Sequence, residues 1–188
     1  GTVFLSTTAS ALAAVATLLK HYRPLSTLAF CNTKQQCRDL LNVLRENGIQ
    51  ALTLNGDLEQ RERDQVLIQF ANNSCSVLVA TDVAARGLDI AQLEAVINVD
   101  VTPDQEIHIH RIGRTGRAGR SGNGVTLVLP DQQAEVGKLA AGLGHGDAFS
   151  ASGMRERMQR DPRFAKAVEN ARGRPRSVVE NAVYLAAV

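Results

Sequence analysis

The chain has 188 residues, 44% of them hydrophobic and 21% charged, with a formal net charge of +2. That is apolar material for one ordinary domain plus a tail, and a net charge too small to mark a partner, so the placement of charge matters more than its sum. Three cysteines, Cys31, Cys37 and Cys75, are odd in number and lack C-x-x-C spacing, which argues against a disulfide framework or zinc site and favours a reducing, cytoplasmic compartment.

Residues 1–19 carry no charged side chain. A signal peptide or membrane span is nevertheless disfavoured, because no basic region precedes the apolar stretch and Ser and Thr are frequent. Leu12, Val15, Leu18, Leu19 and Tyr22 instead share one helix face. A helix is therefore predicted over 10–22, stopping before Pro24. TLAFC (27–31) reads as a short buried strand. A helix over 34–47 follows, with Thr33 and Gln36 placed as a capping box and Gly48 as its stop. QALTL (50–54) is strand-like, and Asp57 is placed to cap a helix at 58–71. SVLVA (76–80) and AVINV (95–99) are buried strands. Thr102-Pro103 opens a helix, Pro suiting a position where no N–H is needed. GVTLVL (124–129) and 131–143 read as a further strand and helix. The chain begins at Gly, so an excised piece of a longer protein is expected.

Short strands, apolar on both faces and alternating with helices, predict an α/β domain: a parallel sheet with helices on both faces. In such sheets ligands sit beyond the carboxyl ends of the strands. Three polar stretches fall there: CNT (31–33), NGD (55–57) and ATDVAARGLD (80–89). The boundary of this domain is placed at 145. Residues 146–188 read as a Gly/Ser-rich linker and a basic tail, with eight Lys/Arg against three acids over 155–176.

HRIGRTGRAGRSG (110–122) holds Arg111, Arg114, Arg117 and Arg120 beside Gly113, Gly116, Gly119 and Gly122, and no carboxylate lies between Glu106 and Asp131. Arginine presents a planar fork of donors that matches phosphate oxygens, and glycine lets backbone approach closely. A phosphate ligand fits this stretch; a solvated basic turn is the plain alternative. In the 80–90 stretch, Thr81 can offer a hydroxyl to a phosphate, Gly87 a close backbone N–H, and Asp89 an acceptor for a sugar hydroxyl. The plain alternative there is that Asp82 caps the following turn. Gln60 and Arg63 lie about one helical turn apart on one face.

AFCNT (29–33), NGDLEQRERDQVLIQF (55–70), VLVATDVAARGLDI (77–90) and HIHRIGRTGRAG (108–119) together resemble the ordered motifs of the second RecA-like domain of DEAD-box RNA helicases. The resemblance covers about residues 10–145 and implies a RecA-like three-layer fold. It implies that Arg114 and Arg117 are arginine fingers reaching the γ-phosphate of ATP held by another domain, and that His110 and Arg111 couple that site to the domain interface and to RNA. Asp89 matches the ribose contact. Thr33, Arg63, Thr81 and Gly87 match the wall gripping the RNA sugar-phosphate backbone, with Gln60 supporting it. The family position before Gly56-Asp57 is usually His and here is Asn55, and an aromatic residue is common where His108 stands. A metal on His108 and His110 is rejected, since no third ligand is near in sequence.

The chain carries no G-x-x-x-x-G-K-[ST] and no D-E-A-D, so the phosphate cradle, the magnesium-holding acid and the water-positioning Glu are expected on the N-terminal RecA-like domain of the same protein. The implied cofactor is ATP with Mg held there, and the implied partner is RNA, a bacterial branch of the family suggesting ribosomal RNA and ribosome biogenesis. Alone the chain is expected to be inactive. Two other readings stand beside this one: a non-catalytic nucleic-acid-binding module acting through the basic tail, and a DNA-directed relative.

Overall fold

The computed structural model describes residues 7–22, 24, 26–86, 93–99, 104–112, 123–127, 133–142, 162, 166 and 183–187. In chain order the elements are α1 (Thr7–Tyr22), β1 (Thr27–Phe30), α2 (Lys34–Glu46), β2 (Ala51–Leu54), α3 (Gln60–Ala71), β3 (Val77–Ala80), α4 (Asp82–Ala85), β4 (Ala95–Asn98), α5 (Gln105–Ile112), β5 (Asn123–Leu127), α6 (Gln133–Gly142) and β6 (Val183–Ala187). One sheet runs β2-β3-β1-β4-β5-β6. Neighbours from β2 to β5 are parallel, as the strand–helix alternation requires.

The strand residues divide between two cores with a period of two. Ala29, Val77, Val79, Ala95 and Ile97 face one way, against Leu12, Val15, Leu18 and Leu19 of α1 and Leu40, Leu41 and Leu44 of α2. Leu28, Phe30, Leu54, Leu78, Ala80 and Val96 face the other way, against Phe70, Val66 and Leu67 of α3 and Ala84 and Ala85 of α4. The central strands β1, β3 and β4 are buried along their whole length. Helices thus cover both faces, which gives three layers.

Helix ends are set by local chemistry. Thr33 Oγ1 accepts from Gln36 N–H at 3.1 Å, so Thr33 caps α2. At its other end Gly48 takes φ 73°, Ile49 N–H donates to Leu44 O at 2.9 Å and Gly48 N–H to Arg45 O at 3.0 Å. This is a Schellman turn, where the missing Cβ matters. Asn73 takes the same role after α3 with φ 56°. The expected cap of α3 is corrected. Glu59, not Asp57, is the N-cap, in a reciprocal box with Glu62. Asp57 is committed elsewhere, to Lys34 Nζ at 2.6 Å. In α5 the Asp104 carboxylate accepts from Glu106 N–H at 2.9 Å; Thr102 and Pro103 lie outside the described residues. The three thiols are buried, and burial pushes that of Cys75 up from its ordinary value.

Two elements go beyond the sequence expectation. α4 is a single turn, too short for periodicity to register. β6 falls in the segment set apart as tail, yet it pairs antiparallel with β5 from Asn123↔Ala187 to Leu127↔Val183. The sheet is therefore mixed at this edge rather than wholly parallel. Deleting residues 183–188 removes the strand that covers the β5 edge. Such a truncation is expected to lower the melting temperature and to promote self-association. Thermal unfolding and sedimentation would show both; an unchanged melting temperature and a monomer would mean β6 adds nothing to the sheet.

Candidate nucleotide and RNA interface at the carboxyl edge of the sheet

The carboxyl ends of β1, β2 and β3 run directly into residues 31–34, 55–58 and 81–86. Strand direction in a parallel sheet places all three stretches on one edge. α5 delivers His110 and Arg111 to the same place, because the Arg111 guanidinium reaches residues of two of these stretches.

Arg111 is the centre of the arrangement. Its Nε donates to Asp82 Oδ1 at 2.7 Å, one terminal nitrogen pairs with Asp82 Oδ2, and that nitrogen also donates to Asn32 Oδ1 at 2.9 Å. The guanidinium carbon lies 5.2 Å from the centroid of the Phe30 ring, within cation–π range. The Arg111 side chain is 1% exposed and that of Asp82 30%. A fork-to-fork pair with a further acceptor and an aromatic face satisfies a cation that would otherwise be costly to bury. Three segments distant in sequence are thereby tied together: the end of β1, the start of α4 and the end of α5. Arg111, expected to couple the nucleotide site to the domain interface and to RNA, is thus buried among partners from its own domain. The plain alternative for Asp82 is corrected: Thr81 caps α4, its Oγ1 accepting from Ala84 N–H at 3.4 Å, while Asp82 pairs with Arg111.

The other expected residues are placed around this tie. Thr33 is exposed at the start of α2. Thr81 is buried, 9% exposed, at the start of α4. Arg63 is half-buried on α3 and donates to Ala84 O at 2.7 Å, so α3 is latched to α4. Gln60 is exposed and donates to Asp64 Oδ1 at 2.8 Å, along its own helix rather than toward the wall. His110 is exposed and, with Phe30, Asp82, Ala85, Arg86, Ile107 and Arg111, lines a cavity of about 70 Å³. Gly87, Asp89, Arg114 and Arg117 lie outside the described residues. Sequence reasoning missed Asn32 and Phe30 as partners of Arg111. The only available signal was their position at the end of a buried strand.

The fold matches that of known proteins. The model of the helicase conserved C-terminal domain matches residues 10–119, more than half of the chain. The chain belongs to that family. Within it, the chain is a C-terminal RecA-like domain of the DEAD-box type, because solved DEAD-box proteins superpose on it over most of its length. SrmB of Escherichia coli, solved bound to regulator of ribonuclease activity A, superposes with a TM-score of 0.67 at 35% identity, covering 71% of this chain and 79% of that one. Dbp5 of Saccharomyces cerevisiae, solved bound to RNA and ADP BeF3, superposes with a TM-score of 0.67 at 30% identity, covering 73% of this chain and 37% of that one. The ATP-dependent RNA helicase DbpA of Escherichia coli is 55% identical over 115 residues, 61% of this chain. The chain spans a quarter of the length of that relative.

Proposed function

We propose that this domain is the second RecA-like half of an ATP-dependent RNA helicase. It supplies arginine fingers to an ATP site on another domain and half of a groove for the RNA backbone. The observation that carries the reading is the buried tie of Arg111 to Asp82 and Asn32. It joins the β1–α2 corner, which presents Thr33, to α4, whose cap is Thr81, and to the helix that leads into Arg114 and Arg117. A domain that must change its grip on RNA when a phosphate arrives needs those segments to move as one body, and a satisfied buried ion pair gives such rigidity.

In this reading Thr33, Arg63, Thr81 and Gly87 face the RNA backbone. Arg63 is held in place by Ala84 O until a phosphate competes for its second edge, and Thr81 meets the backbone with its donating hydrogen, its accepting side being used by Ala84 N–H. Gln60 steadies α3 from its outer turn. Asp89 takes the ribose of ATP, and Arg114 and Arg117 approach its γ-phosphate with charge that needs no reorganisation when negative charge develops. His110, exposed beside Arg111, meets the opposing domain. Arg111 positions rather than binds. Mg belongs to the opposing domain, since the chain contains no Walker-type loop and no D-E-A-D sequence to hold it. ATP supplies a charged bridge between the two domains; closing them bends one strand of a short duplex, and hydrolysis releases the grip. The RNA is proposed to be ribosomal and the compartment cytoplasmic, on the strength of likeness to DbpA and of three cysteines odd in number and without C-x-x-C spacing.

The test is reconstitution. The chain alone is expected to show no ATP hydrolysis above background, with or without RNA. Fused behind a DEAD-box N-terminal RecA-like domain, it is expected to give RNA-stimulated hydrolysis and unwinding of a short RNA duplex. Hydrolysis by the isolated chain, or a fusion that binds ATP yet never responds to RNA, would overturn the proposal.

A further inference from the structure

An ion pair stands at the rim of this edge between two residues to which the resemblance assigns no role. Lys34, the residue after Thr33, places Nζ 2.6 Å from Oδ1 of Asp57, the residue after Gly56. The pair spans from the start of α2 to the turn after β2, two stretches separated in the sheet by β3. Both side chains are exposed, 48% for Lys34 and 65% for Asp57. The Asp57 turn is itself fixed, because Asp57 N–H donates to Asn55 Oδ1 at 2.9 Å. At Gly56 the space where a Cβ would stand is open. A carboxylate beside a groove for a polyanion is electrostatically adverse, unless a cation offsets it.

We infer that Lys34 is an additional ligand for an RNA backbone phosphate and that Asp57 is its built-in counter-ion in the RNA-free domain. The inference rests on the RNA-groove reading of Thr33 and Arg63. An exposed pair of this kind holds its partners weakly, so an arriving phosphate can take over Lys34 without breaking anything buried. Each phosphate that Lys34 neutralises releases the cation condensed on it, about 0.7 per phosphate on a single strand. Asp57 competes with that phosphate for Lys34, and once the phosphate has taken the lysine the carboxylate stands uncompensated near the strand. Asp57 thus weakens RNA binding without removing the phosphate contact.

The test uses this chain and a fluorescent single-stranded RNA, with affinity read by anisotropy across a potassium chloride series. Asp57→Asn is expected to tighten binding about two- to fivefold at low salt, and Lys34→Met to flatten the log–log salt slope by about 0.7. Adding Lys34→Met to Asp57→Asn is expected to abolish the gain in affinity. If Asp57→Asn tightens binding equally in the Lys34→Met background, the carboxylate acts by charge alone and the inference is overturned. It is also overturned if Asp57→Asn leaves the affinity unchanged and Lys34→Met leaves the slope unchanged while Arg63→Ala weakens binding. If Arg63→Ala is equally silent, the groove reading itself fails, and the inference with it.

Discussion

Asp82→Asn is expected to destabilise the domain by about 3 kcal/mol, at the low end of the cost of breaking a buried pair from one side. The reason is an asymmetry of exposure. Arg111 is 1% exposed and Asp82 30%. Removing the charge of Asp82 strands a cation that has no route to water, although the introduced amide carbonyl and Asn32 can still accept hydrogen bonds. Removing Arg111 instead leaves a carboxylate that reaches solvent. Arg111→Met, which also refills the volume against Phe30, is expected to cost about 1–2 kcal/mol. The double variant should cost less than the sum of the two, because the stranded charge is gone. Urea unfolding measures all three, as a lower midpoint at an unchanged slope. An Arg111→Met variant less stable than Asp82→Asn would show that packing against Phe30, rather than compensation of charge, governs this corner. Against a total stability of about 5–15 kcal/mol for such a domain, either loss is large enough to loosen α5.

Alanine at both Arg114 and Arg117 is expected to lower RNA-stimulated ATP turnover in the reconstituted two-domain protein by about 10³-fold or more. The affinity for ATP in the absence of RNA should change little, since the proposed function puts the phosphate cradle on the other domain. The split follows from what a finger does: it meets charge that develops in the transition state and contributes little to the ground state. Rapid-mix turnover and fluorescent-nucleotide binding would separate the two quantities. Full turnover in the double variant would remove the finger mechanism. Lysine at either position should rescue only in part, because a point charge does not reproduce the planar fork. Substituting Arg120 is the control for bulk charge, as it lies in the same basic run without matching either finger.

Much of the architecture was legible in the residues alone. VLVA, AVIN and TLAF are short, apolar on both faces and separated by helical stretches, which leaves a covered parallel sheet as the arrangement that buries them. Helix stops were legible where a backbone needs a special residue, as at Gly48, and starts where a hydroxyl can cap, as at Thr33. The prediction failed at the α3 cap because two acceptors, Asp57 and Glu59, compete for the same role. A tertiary contact to Lys34 took the first away. It missed β6 because an edge strand next to a basic segment carries no period of its own until a partner supplies the hydrogen bonds.

The chemistry divides in the same way. Residue types and spacing alone determined that a run of arginines and glycines suits phosphate, and the ordered motifs placed the chain among DEAD-box helicase domains. That Arg111 is withdrawn into the protein was decided only by the tertiary structure. It lies in the same run as Arg114 and Arg117 and carries the same charge, and nothing in that run foretells its partners: Asp82, 29 residues away, and Asn32, 79 residues away. A charge can be read from a sequence, but its partner is chosen by proximity in space, and proximity across a sheet edge exists only once the strands have assembled.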